Sequence, residues 1–250
     1  QTMKGVGPVH PHQMKPSIQT LLRIGVPRGK RVFPSQFREL LAKQPGLPNE
    51  LFHRDEAGQT KNERPGIRVA GAVGWIGLVA DPGFESHVYS AAQACIQVAT
   101  QLSGQPAAVG IEQHEFGLRP SNEPIRYWIR EMTLKRRHKR ALEKSVEDLI
   151  SERALQAINA TCSRYGFDCP TDEQLGVMVV QTHRPRGMYL QTTSGVTEEA
   201  VTLVDAEVLI HANLKGLWFA GNLTSRGYGR IIPSRPGMSL GYERDGEVLK

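Results

Sequence analysis

Cysteine is scarce in this sequence and long apolar runs are missing, and each shortage excludes a class of protein. The 250 residues include three cysteines, Cys95, Cys162 and Cys169, which are widely spaced and form no Cys-x-x-Cys pair. An odd number of isolated cysteines argues against a disulfide framework and is typical of reduced thiols in a cytoplasm. No apolar run approaches the roughly 18–20 residues of a membrane helix, and the first residues lack the pattern of a secretory signal. We therefore expect a cytoplasmic protein with no membrane partner.

Acidic residues are absent from the first 38 positions, where seven basic side chains occur. A second basic window, residues 126–144, contains eight basic side chains and two acidic ones. Because the whole chain has a formal net charge of +6, the rest of it has a charge of −7. Two basic surfaces on a mildly acidic body are typical of proteins that bind nucleic-acid phosphates. A hydrophobic content of 39% is enough for a folded core and excludes wholesale disorder.

Familiar catalytic motifs are missing as well. The sequence has no His-Glu-x-x-His, Gly-x-Ser-x-Gly or Cys-x-x-Cys motif and no paired-carboxylate signature, which leaves a metalloprotease, an α/β-hydrolase and a zinc module without support. A P-loop and a dinucleotide fingerprint are also absent. Five histidines share no metal-ligand spacing: His87, His114, His138, His183 and His211. We therefore expect neither a bound metal nor a cofactor.

The order of apolar patterns predicts that strands and helices alternate along the chain. In the first half we predict a strand, a short helix, an apolar strand or pair of strands, an amphipathic helix and a strand, at 18–26, 37–44, 67–80, 84–102 and 107–117. In the second half we predict a strand, a long helix, a hairpin and a closing strand, at 124–133, 134–165, 175–192 and 229–233. Residues 197–209 fit a helix or a strand. Each half then resembles a β-α-β-β-α-β unit, with a boundary at residues 119–123.

The strongest local feature is a glycine-rich segment at residues 216–230, in which four glycines surround an apolar run and a polar turn. Glycine lets backbone N–H groups approach a phosphate, and Arg226 and Arg230 can pair with it. A tight connection between a helix and a buried strand would explain the same glycines, so this alternative stays open. The three tryptophans lie in apolar strands and are expected in the core: Trp75, Trp128 and Trp218.

The end of this segment, Gly227-Tyr228-Gly229, follows a hydrophobic stretch and a turn of small residues. In this it resembles the glycine-rich loop of the RAMP superfamily of CRISPR-associated proteins, and in particular that of the endoribonucleases that mature CRISPR repeat RNA. The resemblance implies that the loop helps to hold RNA. We assign this role to four matching residues: Gly221, Arg226, Gly227 and Gly229.

The same resemblance implies an α+β fold of tandem ferredoxin-like (RAMP/RRM-like) halves. The N-terminal half would span residues 1–118 and the C-terminal half residues 119–250. A long basic helical insertion, residues 134–165, would distinguish the second half and looks like the type IV branch of the superfamily.

The second basic window suits the backbone of an RNA stem, because A-form grooves display phosphates and 2′-hydroxyls more than readable base edges. We assign stem binding to its basic residues: Arg126, Arg130, Lys135, Arg136, Arg137, Lys139, Arg140 and Lys144. The alternative is a solvated face, balanced by acidic residues that follow: Glu143, Glu147, Asp148 and Glu152.

The acid-free N-terminal region supplies the other basic patch. Arg23 interrupts an apolar strand, where an arginine usually has a partner, and Arg38 lies on the predicted short helix. Because the first strand and first helix are neighbours in a ferredoxin-like half, we expect the two guanidiniums to converge. Arg28, Lys30 and Arg31 lie in the connecting loop, where they either bind RNA or form a solvated turn.

The resemblance implies RNA cleavage without a metal, in which a 2′-hydroxyl attacks the adjacent phosphorus and leaves a cyclic phosphate on the 5′ fragment. The reaction needs removal of a proton, stabilisation of extra negative charge and protonation of the leaving oxygen. Relatives often use a histidine of the first half as general base, and His53 is the candidate here, with a surface histidine as the alternative. We assign catalysis to Arg23 and Arg38, with His53 as an alternative base and Arg244 as a third arginine.

Together these inferences predict an endoribonuclease that cuts CRISPR repeat RNA next to its hairpin. It would stay bound to the 3′ stem-loop of the mature guide RNA and join other effector subunits. Two alternatives stay open. One is a subunit of the same superfamily that binds guide RNA without cutting it, and the other is an unrelated RNA- or DNA-binding module whose glycine loop is only a turn.

Overall fold

Eight strands with alternating apolar residues form one antiparallel sheet. The structure is a computed structural model that describes residues 17–27, 29–105, 108–135, 143–191 and 198–234. The strands are β1 (Ser17–Gly25), β2 (Ile67–Ala72), β3 (Trp75–Ala80), β4 (Val109–Lys135), β5 (Met178–Gln191), β6 (Glu198–Lys215), β7 (Trp218–Phe219) and β8 (Arg230–Pro233). They follow the path β2-β3-β1-β4-β6-β5, and β8 pairs with β4 and β7.

Capping side chains mark the starts of some helices, and left-handed glycines mark the ends of several. They are α1 (Pro34–Leu41), α2 (Glu85–Ser103), α3 (Val146–Tyr165) and α4 (Asp172–Leu175), with 3₁₀ turns at Asn49–Phe52 and Thr224–Arg226. Ser145 caps α3 by accepting a hydrogen bond from the Asp148 N–H at 3.0 Å, and Gly166 ends it in the left-handed region. Among the described residues, no helix is long and apolar enough to cross a membrane.

The two faces of β1 point into different surroundings. Leu22 and Ile24 are fully buried in the core that β1, β2 and β3 form with α1 and α2. Leu21 points to the opposite face, where it packs with Phe219 of the second half. Arg23 lies on this second face as well, because side chains alternate along a strand. The face away from the helices is therefore the one that meets the glycine-rich segment.

The strand β4 runs without interruption through the predicted boundary at residues 119–123. Residues 109–116 pair with β1, and residues 117–135 pair with β6. The strand order is the same on both sides: β2-β3-β1-β4 in the first half and β5-β6-β4-β8 in the second. The second half has its own core, in which α3 packs on β4 and β6. The described part of the connection between β6 and β8 contains β7 and a 3₁₀ turn in place of a second long helix.

The prediction of a helix over residues 134–165 is wrong at its start. Leu134 and Lys135 belong to β4, where they pair with Thr202 and Val201 of β6, and Leu134 is buried. Residues 143–145 are not helical, and helix α3 begins at Val146. Backbone pairing and burial of Leu134 therefore override the helix predicted for residues 134 and 135.

The predicted hairpin at residues 175–192 is also wrong. Residues 172–175 form α4, which Thr171 starts with a capping box and Gly176 ends in the left-handed region. The chain then continues as one strand, β5, which accommodates bulges in its pairing with β6. The ambiguous segment at residues 197–209 belongs to a strand, β6.

Several residues singled out in the sequence lie outside the described part of the structure. They are Arg28, Arg136, Arg137, His138, Lys139, Arg140 and Arg244. Of the three tryptophans, Trp128 and Trp218 are buried as predicted, whereas Trp75 is only partly buried.

A buried polar network joins the two halves. Asp81, which follows β3 and is fully buried, accepts hydrogen bonds from Gln19 at 2.9 Å, from Arg68 at 2.7 Å and from the Tyr165 hydroxyl at 3.0 Å. Gln19 in turn contacts the backbone of Leu217, accepting from its N–H at 2.7 Å and donating to its carbonyl at 3.0 Å. The network therefore fixes the start of the glycine-rich segment against β1.

Candidate functional site

The glycine-rich segment lies along the edge strand β2 and against the start of α1. Its Gly227 has a φ of +89°, and a Cβ atom there would lie 2.6 Å from Pro34 Cβ and 2.9 Å from the Val69 carbonyl oxygen. A Cβ on Gly229, at φ +76°, would lie 1.8 Å from the Ala220 carbonyl oxygen. Gly227 therefore has to be glycine for the segment to lie against the first half, and Gly229 has to be glycine because the segment folds closely on its own Ala220.

The backbone N–H groups of these glycines are already used within the protein. Gly227 donates to the Thr224 carbonyl at 3.0 Å, and Gly229 donates to the Arg130 carbonyl at 2.9 Å. These two N–H groups are therefore not directed at a ligand. The tight-connection alternative thus explains the glycines, and the arginines explain how such a connection could hold RNA.

Replacing Gly227 by alanine should lower the free energy of unfolding by about 1–3 kcal/mol, because the residue has a left-handed backbone and no room for a Cβ. Gly46 is a matched control, since it has a φ of +76° and open space around its Cβ position. Denaturant unfolding of both variants should show the larger loss for Gly227→Ala. An equal loss would mean that contact with α1 and β2 does not constrain the segment.

Arg38 lies within electrostatic range of two other arginines, Arg54 and Arg226, where this segment meets α1. Burial and the positive charges of Arg226 and Arg54 lower the pKa of Arg38 to about 10, which leaves it charged at neutral pH. Arg38 donates to the Phe52 carbonyl at 2.8 Å, and its buried Nε has no protein partner. Among the described residues, no carboxylate forms a salt bridge with any of the three. Like charges held together without an acid make a site for an anion such as a phosphate.

A separate pair of arginines lies on the opposite face of the sheet, in its first half. The Cζ atoms of Arg23 and Arg230 lie 5.3 Å and 5.7 Å from the centre of the Trp75 ring, within the range of cation–π contacts. Arg23 also lies 3.5 Å from the Glu112 carboxylate, which is 3.1 Å from Nε2 of His114. The prediction that Arg23 has a partner is therefore confirmed, and Trp75 is a support for cationic side chains.

The structure does not bring Arg23 and Arg38 into contact with one another. Arg38 lies on α1, on the helical side of the sheet, whereas Arg23 points to the other side. Each is instead grouped with an arginine of the glycine-rich segment, Arg38 with Arg226 and Arg23 with Arg230. The expected convergence of two N-terminal guanidiniums is thus replaced by two groups that each span both halves.

His53 is neither a surface histidine nor an accessible base. It is 8% exposed, it adopts a left-handed backbone at the end of the first 3₁₀ turn, and its buried Nδ1 has no described partner. Burial lowers the pKa of His53 below its usual 6.5, against the opposing effect of Glu50. The ring is therefore neutral at pH 7, but a 2′-hydroxyl would have to displace covering atoms to reach it.

The described members of the second basic window differ in their surroundings. Arg126 forms a salt bridge with Glu207 at 2.9 Å, and Lys144 forms one with Glu152 at 2.6 Å. The hydrogen bond from Lys144 lowers the pKa of Glu152. This pair matches the alternative in which later acids balance the basic run.

Sequence reasoning missed Arg54, Glu112 and His114. Arg54 follows a 3₁₀ turn in an irregular loop, where no periodicity indicates the direction of its side chain. Glu112 and His114 are two residues apart on β4, so they share a face, and this period of two was the available signal. Among the described residues, no group of three or more His, Cys, Asp or Glu side chains could hold a metal ion.

The fold is that of the Cas6 proteins. A crystal structure of Cas6b superposes with a TM-score of 0.59 at 11% identity, covering 87% of this chain and 100% of that one. A second Cas6b structure, of a CRISPR RNA processing endoribonuclease, has a TM-score of 0.56 at 10% identity and the same coverage. At these identities the likeness is one of fold alone.

Sequence similarity places this chain in a narrower group than the fold does. The family model of the type IV CRISPR-associated endonuclease Csf5 matches residues 17–236, and this chain belongs to that family. A solved structure named Csf5, CRISPR-Cas type IV Cas6 crRNA endonuclease, is 33% identical with a TM-score of 0.78, covering 87% of this chain and 100% of that one. No curated protein matches the sequence. The type IV resemblance is therefore confirmed, and the alternative of an unrelated nucleic-acid-binding module is wrong.

Proposed function

We propose that this chain is a cytoplasmic, metal-independent endoribonuclease that cuts CRISPR repeat RNA next to its hairpin. The observation on which this rests is the cluster of Arg38, Arg54 and Arg226, in which three cations lie within electrostatic range and form no described salt bridge with a carboxylate. The similarity of this chain to a structure named a Cas6 crRNA endonuclease supports RNA as the anion that the cluster binds. The mature guide RNA would stay bound through its 3′ stem-loop and enter an effector complex with other CRISPR subunits.

The arginine cluster suits a phosphate that gains negative charge during reaction. The 2′-oxygen attacks the adjacent phosphorus, a cyclic phosphate forms on the 5′ fragment, and the bond to the 5′-oxygen breaks. The 2′-hydroxyl gives up a proton and the leaving 5′-oxygen gains one, so no proton is consumed overall. Guanidiniums at Arg38 and Arg226 would bind the non-bridging oxygens most strongly when their charge is greatest.

Arg23 would act on the same RNA from the other face of the sheet. Trp75 and Glu112 hold its guanidinium in place, and Arg230 lies beside it. We propose that Arg23 binds a neighbouring phosphate of the same strand, since the 2′-hydroxyl next to the phosphate at Arg38 and Arg226 would lie on the other side of the sheet, and that Arg244 joins it as a third arginine. Because His53 is buried, its role as general base is the weaker of the two alternatives, and arginines would position the reacting groups.

The common strand order supports tandem ferredoxin-like halves at residues 1–118 and 119–250. In this proposal the glycine-rich segment replaces the second helix of the second half, which places Arg226 and Arg230 at the junction. The basic window would grip the RNA stem through the residues assigned above, including Lys135 at the end of β4.

Incubating the protein with end-labelled repeat RNA in EDTA tests the proposal. We expect one cut at the base of the hairpin and a 5′ fragment whose cyclic phosphate opens on treatment with acid. A substrate with a 2′-deoxy nucleotide immediately 5′ to the cut should stay intact, because it lacks the nucleophile. Repeat RNA that remains intact in EDTA but is cut after Mg²⁺ is added would contradict metal-independent cleavage.

The alternative is a non-catalytic RAMP-superfamily subunit that binds guide RNA in a CRISPR effector complex. The burial of His53 favours it, since this histidine is not accessible as a base. In that case repeat RNA would bind tightly and remain uncut with or without metal. Loss of binding in Arg38→Ala, with no cleavage to lose, would then be the result.

A further inference from the structure

An exposed aromatic ring lies at the start of α1, next to the arginine cluster. Phe33 is the N-cap residue of this helix, leaves 46% of its surface exposed and makes no capping hydrogen bond through its side chain. Serine, threonine, asparagine and aspartate are preferred at this position because they bond a free N–H of the first turn. The Phe33 side chain therefore neither caps the helix nor belongs to the core. Phe37, one turn later on α1, is the aromatic residue that packs in the core.

A guanidinium lies over this ring. The Cζ atom of Arg31 is 4.5 Å from the centre of Phe33, which is close enough for a cation–π contact. Proteins that bind single-stranded RNA stack bases on aromatic rings and on the planes of arginines, and such stacking tolerates any base. Phe33 and Arg31 provide both kinds of surface in one exposed pair.

The surroundings of Phe33 indicate RNA as the ligand. Pro34 follows directly and would touch a Cβ on Gly227, the residue after Arg226. The ring thus lies beside the point where the arginine cluster joins the two halves, and Lys30 and Arg31 are exposed on the approach to it. A polyanionic strand whose phosphate binds this cluster would pass the ring.

We propose that Phe33 and Arg31 form a stacking site for one unpaired nucleobase of the RNA strand that passes the arginine cluster. A base inside a stem has both faces covered by its neighbours, so the site selects a nucleotide outside the hairpin. This inference rests on the proposed function in taking RNA as the ligand, but not in taking the RNA to be cut.

Fluorescence of 2-aminopurine tests the stack directly. The base analogue is placed at one unpaired position after another in a repeat RNA with a 2′-deoxy nucleotide at the cut, and its quenching on binding is measured. Wild-type protein should quench one position strongly. Phe33→Ser should abolish that quenching and weaken affinity by roughly fivefold to a hundredfold, the usual effect of losing one stacked base, while Phe33→Tyr should retain both.

Stability separates this role from a structural one. Because serine is a preferred N-cap, Phe33→Ser should unfold at the same or higher denaturant concentration than the wild type. Tyr89 on α2 is the matched control: it is 48% exposed and has no cation over its ring among the described residues, so Tyr89→Ala should change neither quenching nor affinity. RNA trimmed to the hairpin should bind wild type and Phe33→Ser equally.

Quenching that survives in Phe33→Ser would overturn the proposal, and so would an equal loss of affinity for full-length and trimmed RNA. Wild-type cleavage in EDTA reports separately on the proposed function. Quenching that depends on Phe33 in a protein that cuts nothing would support the stacking site and contradict the nuclease. Cleavage together with quenching that does not depend on Phe33 would support the nuclease and contradict the stacking site.

Discussion

Replacing Arg38 by alanine should lower the single-turnover rate of repeat-RNA cleavage by about 10²–10³-fold, the usual effect of removing one preorganised donor from a site of transition-state charge. Arg38 is partly buried, and its position is fixed by its bond to the Phe52 carbonyl. A donor held in this way needs no reorganisation as charge develops on the phosphate. The rate at saturating protein should therefore fall much more than the affinity.

Arg38→Lys distinguishes a planar fork from a point charge. Lysine keeps the positive charge but cannot make two parallel bonds to a phosphate, so most of the rate should still be lost. Arg119 is the matched control, because it is an exposed arginine whose salt bridge to Glu115 lies on β4 away from the cluster. Arg119→Ala should leave the rate unchanged. A rate for Arg38→Ala within threefold of wild type would remove Arg38 from the catalytic group.

The cluster also predicts opposite effects on folding and on RNA binding. Burial lowers the pKa of Arg38 most, and repulsion by Arg226 and Arg54 lowers it further in the absence of RNA. Substituting Arg54 by glutamine should therefore leave the free protein as stable as wild type or slightly more stable, while RNA binding weakens. Charged side chains whose surroundings disfavour their charge occur often at functional sites.

Parts of the fold follow directly from sequence patterns. The apolar run of β1 and the amphipathic pattern of α2 predict both elements to within one residue at each end, because local periodicity and the flanking glycine and proline agree. The pattern fails over residues 134–135, where pairing of Leu134 with β6 decides the conformation. Local signals cannot show such a long-range contact.

The candidate site also depends on long-range contacts that local sequence patterns do not show. The sequence indicates Arg38 and Arg226 separately, through a basic region and a glycine loop, but it does not show that they meet. Their proximity depends on Gly227 fitting against Pro34 and on the buried network around Asp81, which are both long-range contacts. Arg54 could not be found at all, because its direction is set by the left-handed backbone of His53.

Replacing Asp81 by alanine should lower the free energy of unfolding by about 3–5 kcal/mol, the usual cost of removing one partner of a buried ion pair. The Arg68 and Asp81 side chains are 6% and 0% exposed, so the remaining guanidinium would be left without a counterion in a nearly dry site. Gln19 and Tyr165 would each lose a hydrogen bond as well. Guanidinium chloride unfolding measures the loss.

The surface pair of Glu39 and Lys43 provides the control, because Glu39→Ala removes an exposed salt bridge and should cost less than about 1 kcal/mol. Combining Asp81→Leu with Arg68→Met removes both buried charges and should recover part of the loss. Since the same network fixes Leu217 against β1, the double variant should fold but hold Arg226 and Arg230 less firmly. It should then cleave more slowly than its stability explains. Full cleavage activity in that variant would show that the network stabilises the fold without positioning the arginines of the glycine-rich segment.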